Sequence, residues 1–292
     1  MKRAVFSIDV EDWYHLDYFN RADCDESFSM LDGLHIYVDF MRELSLPSSF
    51  FVLGELAEKR IDYFRHLVDE GHDVGCHGWD HQRPLTKSAE TFREDLNHCA
   101  AAMKKINGSR GFGYRAPCFS LNRDRLDIVK DVGFSYDSSR IDFGNHSLYG
   151  SIEMSNFNKN MASVYQREDF FEFEVSTYSI LGKKIPISGG GYLRIFPWVL
   201  TRELVRQYLK KNDLYVLYIH PFELSQMSLS NFPKSTSALT KFRFQFGRKK
   251  VISRLKKLVN LLHSHDYEFT TFSAIREELL TQQSIDSNQG VE

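Results

Sequence analysis

Short apolar runs recur along this 292-residue chain, and several of them end on polar or ionisable side chains. Ala4-Val5-Phe6-Ser7-Ile8 runs into Asp9-Val10-Glu11-Asp12, Asp73-Val74-Gly75-Cys76 into His77, and Leu214-Tyr215-Val216-Leu217-Tyr218-Ile219 into His220-Pro221. Runs this short and this rich in β-branched and aromatic residues read as strands buried on both faces. Between them, residues 34–44, 56–68, 88–106 and 122–132 carry apolar side chains at helical spacing. Strands alternating with helices pair in parallel, and parallel α/β architectures place their chemistry at the C-terminal strand ends. Asp9, His77, Arg115, Asp137 and His220 all fall there. The alternation over residues 4–137 therefore predicts an α/β fold of the (β/α) barrel kind. No Pro/Gly/Ser-rich linker interrupts the chain, so 1–292 reads as a single catalytic domain. It would carry an insertion at 144–191, with a strand at Phe170–Val175, and a helix-and-strand extension at 241–280 whose last helix Ser273 caps. The polar residues from Gln282 onward are expected to fray.

A formal net charge of -2, from 37 basic and 39 acidic residues, argues against a nucleic-acid binder. The basic stretch 243–257 reads as the solvated face of a helix burying Val251, Leu255, Leu258, Val259 and Leu262. The alternative for that face is a peripheral contact with anionic lipid or an acidic glycan. Cys24, Cys76, Cys99 and Cys118 have no CxxC spacing and read as thiols of a reducing compartment. Asp9 breaks the N-terminal apolar run far short of a signal-peptide core, and no segment approaches a membrane span. A cytoplasmic protein is expected.

Two imidazoles and a carboxylate suit a divalent metal that keeps positions open for water and substrate. His77-Gly78-Trp79-Asp80-His81 offers the imidazoles, and the acidic cluster after the first strand offers the carboxylate. Extended geometry puts Asp9 and Glu11 on one face; Asp12 joins them only if the strand has already ended. Arg115, with its fixed donor fork, can hold a carboxylate in orientation, and Pro117 fixes the turn beyond it. His220 faces the same cleft with an acidity suited to general acid work. Trp79 is read either as a platform under a sugar ring or as a plug in the core. Gly189-Gly190-Gly191 lacks the lysine and strand–helix setting of a phosphate loop. It would instead let the backbone, near Gly190, pass close to a sugar, with Tyr192 or Arg194 touching it.

Taken in order, these motifs resemble the polysaccharide deacetylase family with the NodB-homology fold, also called carbohydrate esterase family 4. The matching segments are Ile8-Asp9-Val10-Glu11-Asp12-Trp13-Tyr14-His15, His77-Gly78-Trp79-Asp80-His81, Tyr114-Arg115-Ala116-Pro117, Phe134-Ser135-Tyr136-Asp137-Ser138-Ser139 and Tyr218-Ile219-His220-Pro221-Phe222-Glu223. The Asp-Val-Glu-Asp form, Gly189–Arg194 and Phe269-Thr270-Thr271-Phe272 are similar to the branch found in exopolysaccharide and surface-glycan gene clusters. The resemblance implies a deformed (β/α)7 barrel, a divalent metal (usually zinc) and hydrolysis of an N-acetyl group from an amino sugar. By the same resemblance His77 and His81 are metal ligands, Asp9 is the base and His220 the acid. Arg115 then orients Asp9, and Asp137 orients His220. The family's third ligand is an aspartate, which favours Asp12, whereas strand geometry favours Glu11. The implied substrate is an N-acetylated sugar or glycan, lipid-linked or nucleotide-linked in the precursor case. Two other readings stand beside this one: an allantoinase-like hydrolase of a small cyclic amide or ureide, and a non-catalytic glycan-binding module.

Overall fold

Strand β1 (Lys2–Val10) is buried from Ala4 onward because both of its faces are covered. Ala4, Phe6, Ile8 and Val10 join the apolar layer under the helices, while Val5 faces the second apolar cluster, on the other side of the sheet. Ser7 and Asp9 share that second face by the two-residue period of the strand. The structure is a computed structural model that describes residues 1–144 and 146–289.

After β1 come α1 (Asp32–Glu43), β2 (Ser49–Val52), α2 (Gly54–Lys59), α3 (Ile61–Asp69), β3 (Asp73–Cys76) and α4 (Ala89–Asn107). Then follow β4 (Gly113–Tyr114), α5 (Arg123–Val132) and β5 (Tyr136–Asp137). The single helix expected over 56–68 is two, broken at Arg60, whose backbone leaves helical geometry (φ -140°, ψ 38°). Ser88 and Asn122 cap α4 and α5 through their side chains.

The stretch 144–191 forms the antiparallel strands β6 (Asn158–Met161), β7 (Val164–Arg167) and β8 (Phe170–Phe173), then the hairpin β9 (Thr177–Ile180) and β10 (Lys183–Pro186). Its strand β8 pairs in parallel with β5, so the middle of this stretch belongs to the main sheet. The chain continues through α6 (Gly190–Ile195), α7 (Trp198–Leu209), β11 (Leu214–Ile219), α8 (Pro221–Leu224), α9 (Ala238–Gln245), α10 (Val251–His263), β12 (Tyr267–Phe269) and α11 (Phe272–Gln289).

The strand order is β11-β1-β2-β3-β4-β5-β8-β7-β6, with β12 also on β1. All pairings from β11 to β8 are parallel. This curled, incompletely closed parallel sheet flanked by helices is the deformed (β/α) barrel expected from the sequence. Phe272 and Ile275 of α11 lie in the interior cluster with Val5, Phe51, Tyr136 and Phe173. Ser273 donates through its hydroxyl to Asp73 at the start of β3, 2.9 Å away, and is not the helix cap. Thr271 takes that place, its Oγ1 accepting from the Ala274 N–H. Helix α11 thus stoppers the barrel at the N-terminal strand ends, leaving the opposite mouth for chemistry. It stays helical through Gln282 to Gln289; the remainder of the expected polar tail lies outside the described residues.

Candidate active site

At the C-terminal strand ends, Glu11, His77 and His81 bring one ligand atom each to within 4.8 Å of one another, all three residues buried. The orientation of both rings is fixed from behind. His77 Nδ1 lies 2.8 Å from the Arg115 carbonyl, and His81 Nδ1 faces the Asp17 carboxylate at 3.6 Å. A proton on each Nδ1 leaves each Nε2 lone pair free toward the cluster, as metal-ligating imidazoles are held. Glu11 Oε2 stands 2.9 Å from His81 Nε2, yet it is buried and has no hydrogen-bond partner. Two metal bonds of about 2.1 Å at the tetrahedral angle set neighbouring ligand atoms about 3.4 Å apart, so a small outward shift of this pair admits the ion. The donor set and the orphaned oxygen therefore fit a divalent cation.

The electrostatics agree for Glu11 and His77, whereas burial lowers His81 but the Glu11 carboxylate outweighs it and holds that imidazole up, so a bound cation would displace its Nε2 proton. Burial would push the Glu11 carboxyl up, but the imidazoles of His81, His220 and His77 more than reverse this and hold it down at about 2. Burial pulls His77 down to about 4, leaving a neutral imidazole able to donate its lone pair. His81 reaches the site on a loop whose backbone is at φ 67°, a left-handed position that side chains seldom occupy.

Asp12 lies elsewhere. Its Oδ1 accepts from the N–H groups of Trp13 and Met30, each at 2.8 Å. By Asp12 the strand has ended, and its side chain closes the loop after β1 on the segment leading into α1. The position favoured for the third ligand by family pattern is thus occupied with capping. The structure brings Glu11, not Asp12, to the two histidines.

Asp9 accepts from Arg115 Nη1 at 2.8 Å, both residues being buried. Arg115 is itself over-determined. It donates to Ser7 Oγ, the Ser138 carbonyl and Ser138 Oγ, and lies 4.2 Å over the Phe51 ring. The next segment is tightly turned, with Cys118 and Phe119 at φ 52° and 51°. The Ala116 N–H donates to Ser139 Oγ and that of Phe119 to the Ala116 carbonyl. The Cys118 thiol donates to Asp17 Oδ2 at 2.8 Å, holding the carboxylate that backs His81.

His220 sits between two carboxylates, with Nε2 at 3.5 Å from Glu11 Oε1 and Nδ1 at 3.5 Å from Glu223 Oε2. Burial lowers its pKa, but Glu223 and Glu11 outweigh this and raise it to about 9. Asp137, expected to orient His220, does not reach it. It accepts from Ser139 and lies opposite Glu172 in the β5–β8 register. Burial raises both of those carboxyls, and the charge of Asp137 raises Glu172 further.

The expected sugar contacts divide. Arg194 is buried, bound to Glu223 at 2.8 Å and to the carbonyls of Arg243, Phe244 and Phe246, so it does not face a cleft. Gly190 packs against the same Glu223; a Cβ there would come within 1.7 Å of its carboxylate. Trp79 lies flat on His98, ring centroids 3.5 Å apart, with Gly54 closed against it. Pro117 is buried beside Gly78. Tyr192 is half-buried near Phe143 and Phe196. Glu223, Asp17, Ser7 and Ser138 were not singled out from sequence. Ser7 was legible as the inward neighbour of Asp9 in the strand period, and Glu223 by its spacing from His220.

Residues 34–136 match the family model described as polysaccharide deacetylase. Over that segment the chain is polysaccharide deacetylase-like. Residues 138–277 match a second model, described as a domain of unknown function, DUF3473. Over 258 residues the chain is 20% identical to a peptidoglycan deacetylase of Helicobacter pylori, covering 85% of this chain and 84% of that protein. A chitooligosaccharide deacetylase of Azorhizobium caulinodans is 27% identical over 118 residues, which are 38% of this chain and 56% of that protein. A solved structure assigned as a polysaccharide deacetylase from Mycobacterium smegmatis superposes with a TM-score of 0.58 at 18% identity, covering 96% of this chain and 91% of that one. It shows the shared fold. Family and cluster together point to a metal-dependent hydrolase of the polysaccharide deacetylase class, acting on amino sugars or glycans. Among the described residues no helix is long and apolar enough to cross a membrane.

Proposed function

We propose that this protein removes an N-acetyl group from an amino sugar of a surface or extracellular polysaccharide or its precursor, releasing acetate. The observation that carries the reading is the convergence of Glu11, His77 and His81 beside both an Arg115-held Asp9 and a protonated His220. Glu11, His77 and His81 would hold the metal, with zinc the best match to a nitrogen-rich set. When bound, it supplies Lewis acidity to the acetamide carbonyl and to a water.

Asp9 is the base. Arg115 engages its Oδ1, leaving the other oxygen to take the proton of the attacking water. Because Arg115 is locked by Ser7 and Ser138, that oxygen is held in one direction. The Cys118 N–H, on the turn after Pro117, is the donor we assign to the developing oxyanion. His220, held protonated by Glu223 and Glu11, gives its proton to the departing amine, which leaves poorly as an anion. The half-buried Tyr192 is the assigned sugar contact at the rim.

The test has two arms. Zinc affinity is compared between Glu11→Gln and Asp12→Asn. Glu11→Gln should weaken it by at least about tenfold, the smallest loss typical even for a supporting residue, while Asp12→Asn keeps it. The reverse order would return the ligand role to Asp12. Acetate release is then assayed on N-acetylhexosamine oligomers, nucleotide-linked and lipid-linked sugars, and small ureides. Turnover confined to ureides would move the reading to the allantoinase-like activity, and glycan binding without turnover would move it to a binding module.

A further inference from the structure

Helix α9 is built inside out at one edge. Phe244 is buried against Phe222 and Phe232, but Leu239, Phe242 and Phe246 are 57%, 53% and 42% exposed. Their spacing puts them on one face of the helix, and the rings of Phe242 and Phe246 lie 4.8 Å apart. The stripe does not end there. The Phe246 carbonyl accepts from Arg194 at 2.9 Å, and Gly247 packs against the Arg194 backbone. This sets the exposed Ile195 beside the end of α9, with exposed Val199 and Leu200 following at the start of α7. Arg254 ties the same corner down by donating to the Phe196 carbonyl.

Cations surround this apolar ground. Lys241 and Arg243 stand on α9, Lys249 and Lys250 follow it, and Lys257 reaches over Trp198 at 5.8 Å. The region's ion pairs, Arg194 with Glu223 and Lys256 with Glu43, leave those five uncompensated among the described residues. Exposed leucine and phenylalanine flanked by unpaired lysine and arginine complement a surface with an apolar interior and an anionic skin. A nucleic acid would engage the cations but offers no apolar phase for Leu239, Ile195 and Val199.

We propose that α9, with the α6–α7 corner, docks this protein on an anionic lipid bilayer. The surface adjoins the catalytic mouth. Helix α6 runs from Gly190, packed on the Glu223 that faces His220, to Ile195 at the patch. Resting on the deacetylase reading above, this placement brings a sugar carried on a lipid to the cleft.

The full chain is co-sedimented with phosphatidylcholine vesicles with and without phosphatidylglycerol, and acetate release is measured in parallel on a water-soluble N-acetylated oligomer. Binding should require the anionic lipid and weaken with added salt. Phe242→Ser/Phe246→Ser should lower it at least tenfold, and Lys249→Glu/Lys250→Glu by roughly fivefold or more for each charge. Both variants should release acetate from the soluble oligomer as the parent does. No binding of the parent to anionic vesicles overturns the proposal, as does binding that the phenylalanine variant leaves intact. Vesicle binding by a protein inactive on every sugar would leave the docking standing and remove the deacetylase reading instead.

Discussion

Replacing Arg194 by methionine tests whether the pair behind His220 holds the catalytic mouth together. Arg194 and Glu223 are each 1% exposed and 2.8 Å apart, and the same guanidinium serves three backbone carbonyls of the α9 segment. Methionine keeps most of the length and none of the charge. It leaves the buried Glu223 with only the His220 imidazolium, 3.5 Å away, for a counter-charge; removing one partner of a buried pair costs about 3–5 kcal/mol. At roughly 2–4 °C for each kcal/mol, the melting temperature should fall by about 6–20 °C. Denaturant unfolding monitored by circular dichroism measures the loss directly. Arg194→Met/Glu223→Leu should recover part of it, because no lone carboxylate remains, though the three carbonyls still lack their donor. A second readout separates positioning from stability. Burial lowers the pKa of His220, and the neighbouring Glu223 carboxylate does most to raise it. A general acid works only below its pKa, so Glu223→Gln should move the alkaline limb of kcat/KM to lower pH. If Arg194→Met unfolds within about 1 kcal/mol of the parent, the pair is solvated and the reasoning fails.

Asp9→Asn preserves shape at the Arg115 contact but removes the proton acceptor, so kcat should fall about 10²–10⁴-fold with metal content unchanged. A loss under about tenfold would place the base elsewhere. Glu172 supplies a pH test away from the metal ligands. Burial and then the charge of Asp137 raise its carboxyl well above the ordinary value of 4.5, so the folded protein keeps a proton that the unfolded chain has lost. Its stabilisation is full below that ordinary value and declines as pH rises toward the raised one. Glu172→Gln cannot ionise and can still donate to Asp137. It should melt near the parent in acid and above it at about pH 8, and a difference in melting temperature that does not vary with pH would refute the shared-proton account.

The barrel and the positions of its chemistry were legible in the chain alone. Strand period and parallel connectivity send Asp9, His77, Arg115 and His220 to one mouth whatever the loops do. Helix breaks and caps were less legible, since Arg60 interrupts a helix that its apolar spacing continues, and Thr271 serves where Ser273 was expected. Which partner each site residue meets was decided by the tertiary structure. Asp12 leaves the metal cluster because the Met30 N–H, on a distant segment, claims its carboxylate. Asp137 cannot orient His220 because Tyr136 before it and Tyr218 of β11 both face the interior cluster, so the two-residue period turns Asp137 to the opposite face from His220, where β8 sets Glu172 directly opposite it. Arg194 follows a polar glycine-rich turn and reads as a sugar contact until Glu223 and the end of α9 close around it. Local period determines which way a side chain points from its own strand; only the sheet order and the packing of loops from elsewhere determine what it finds there.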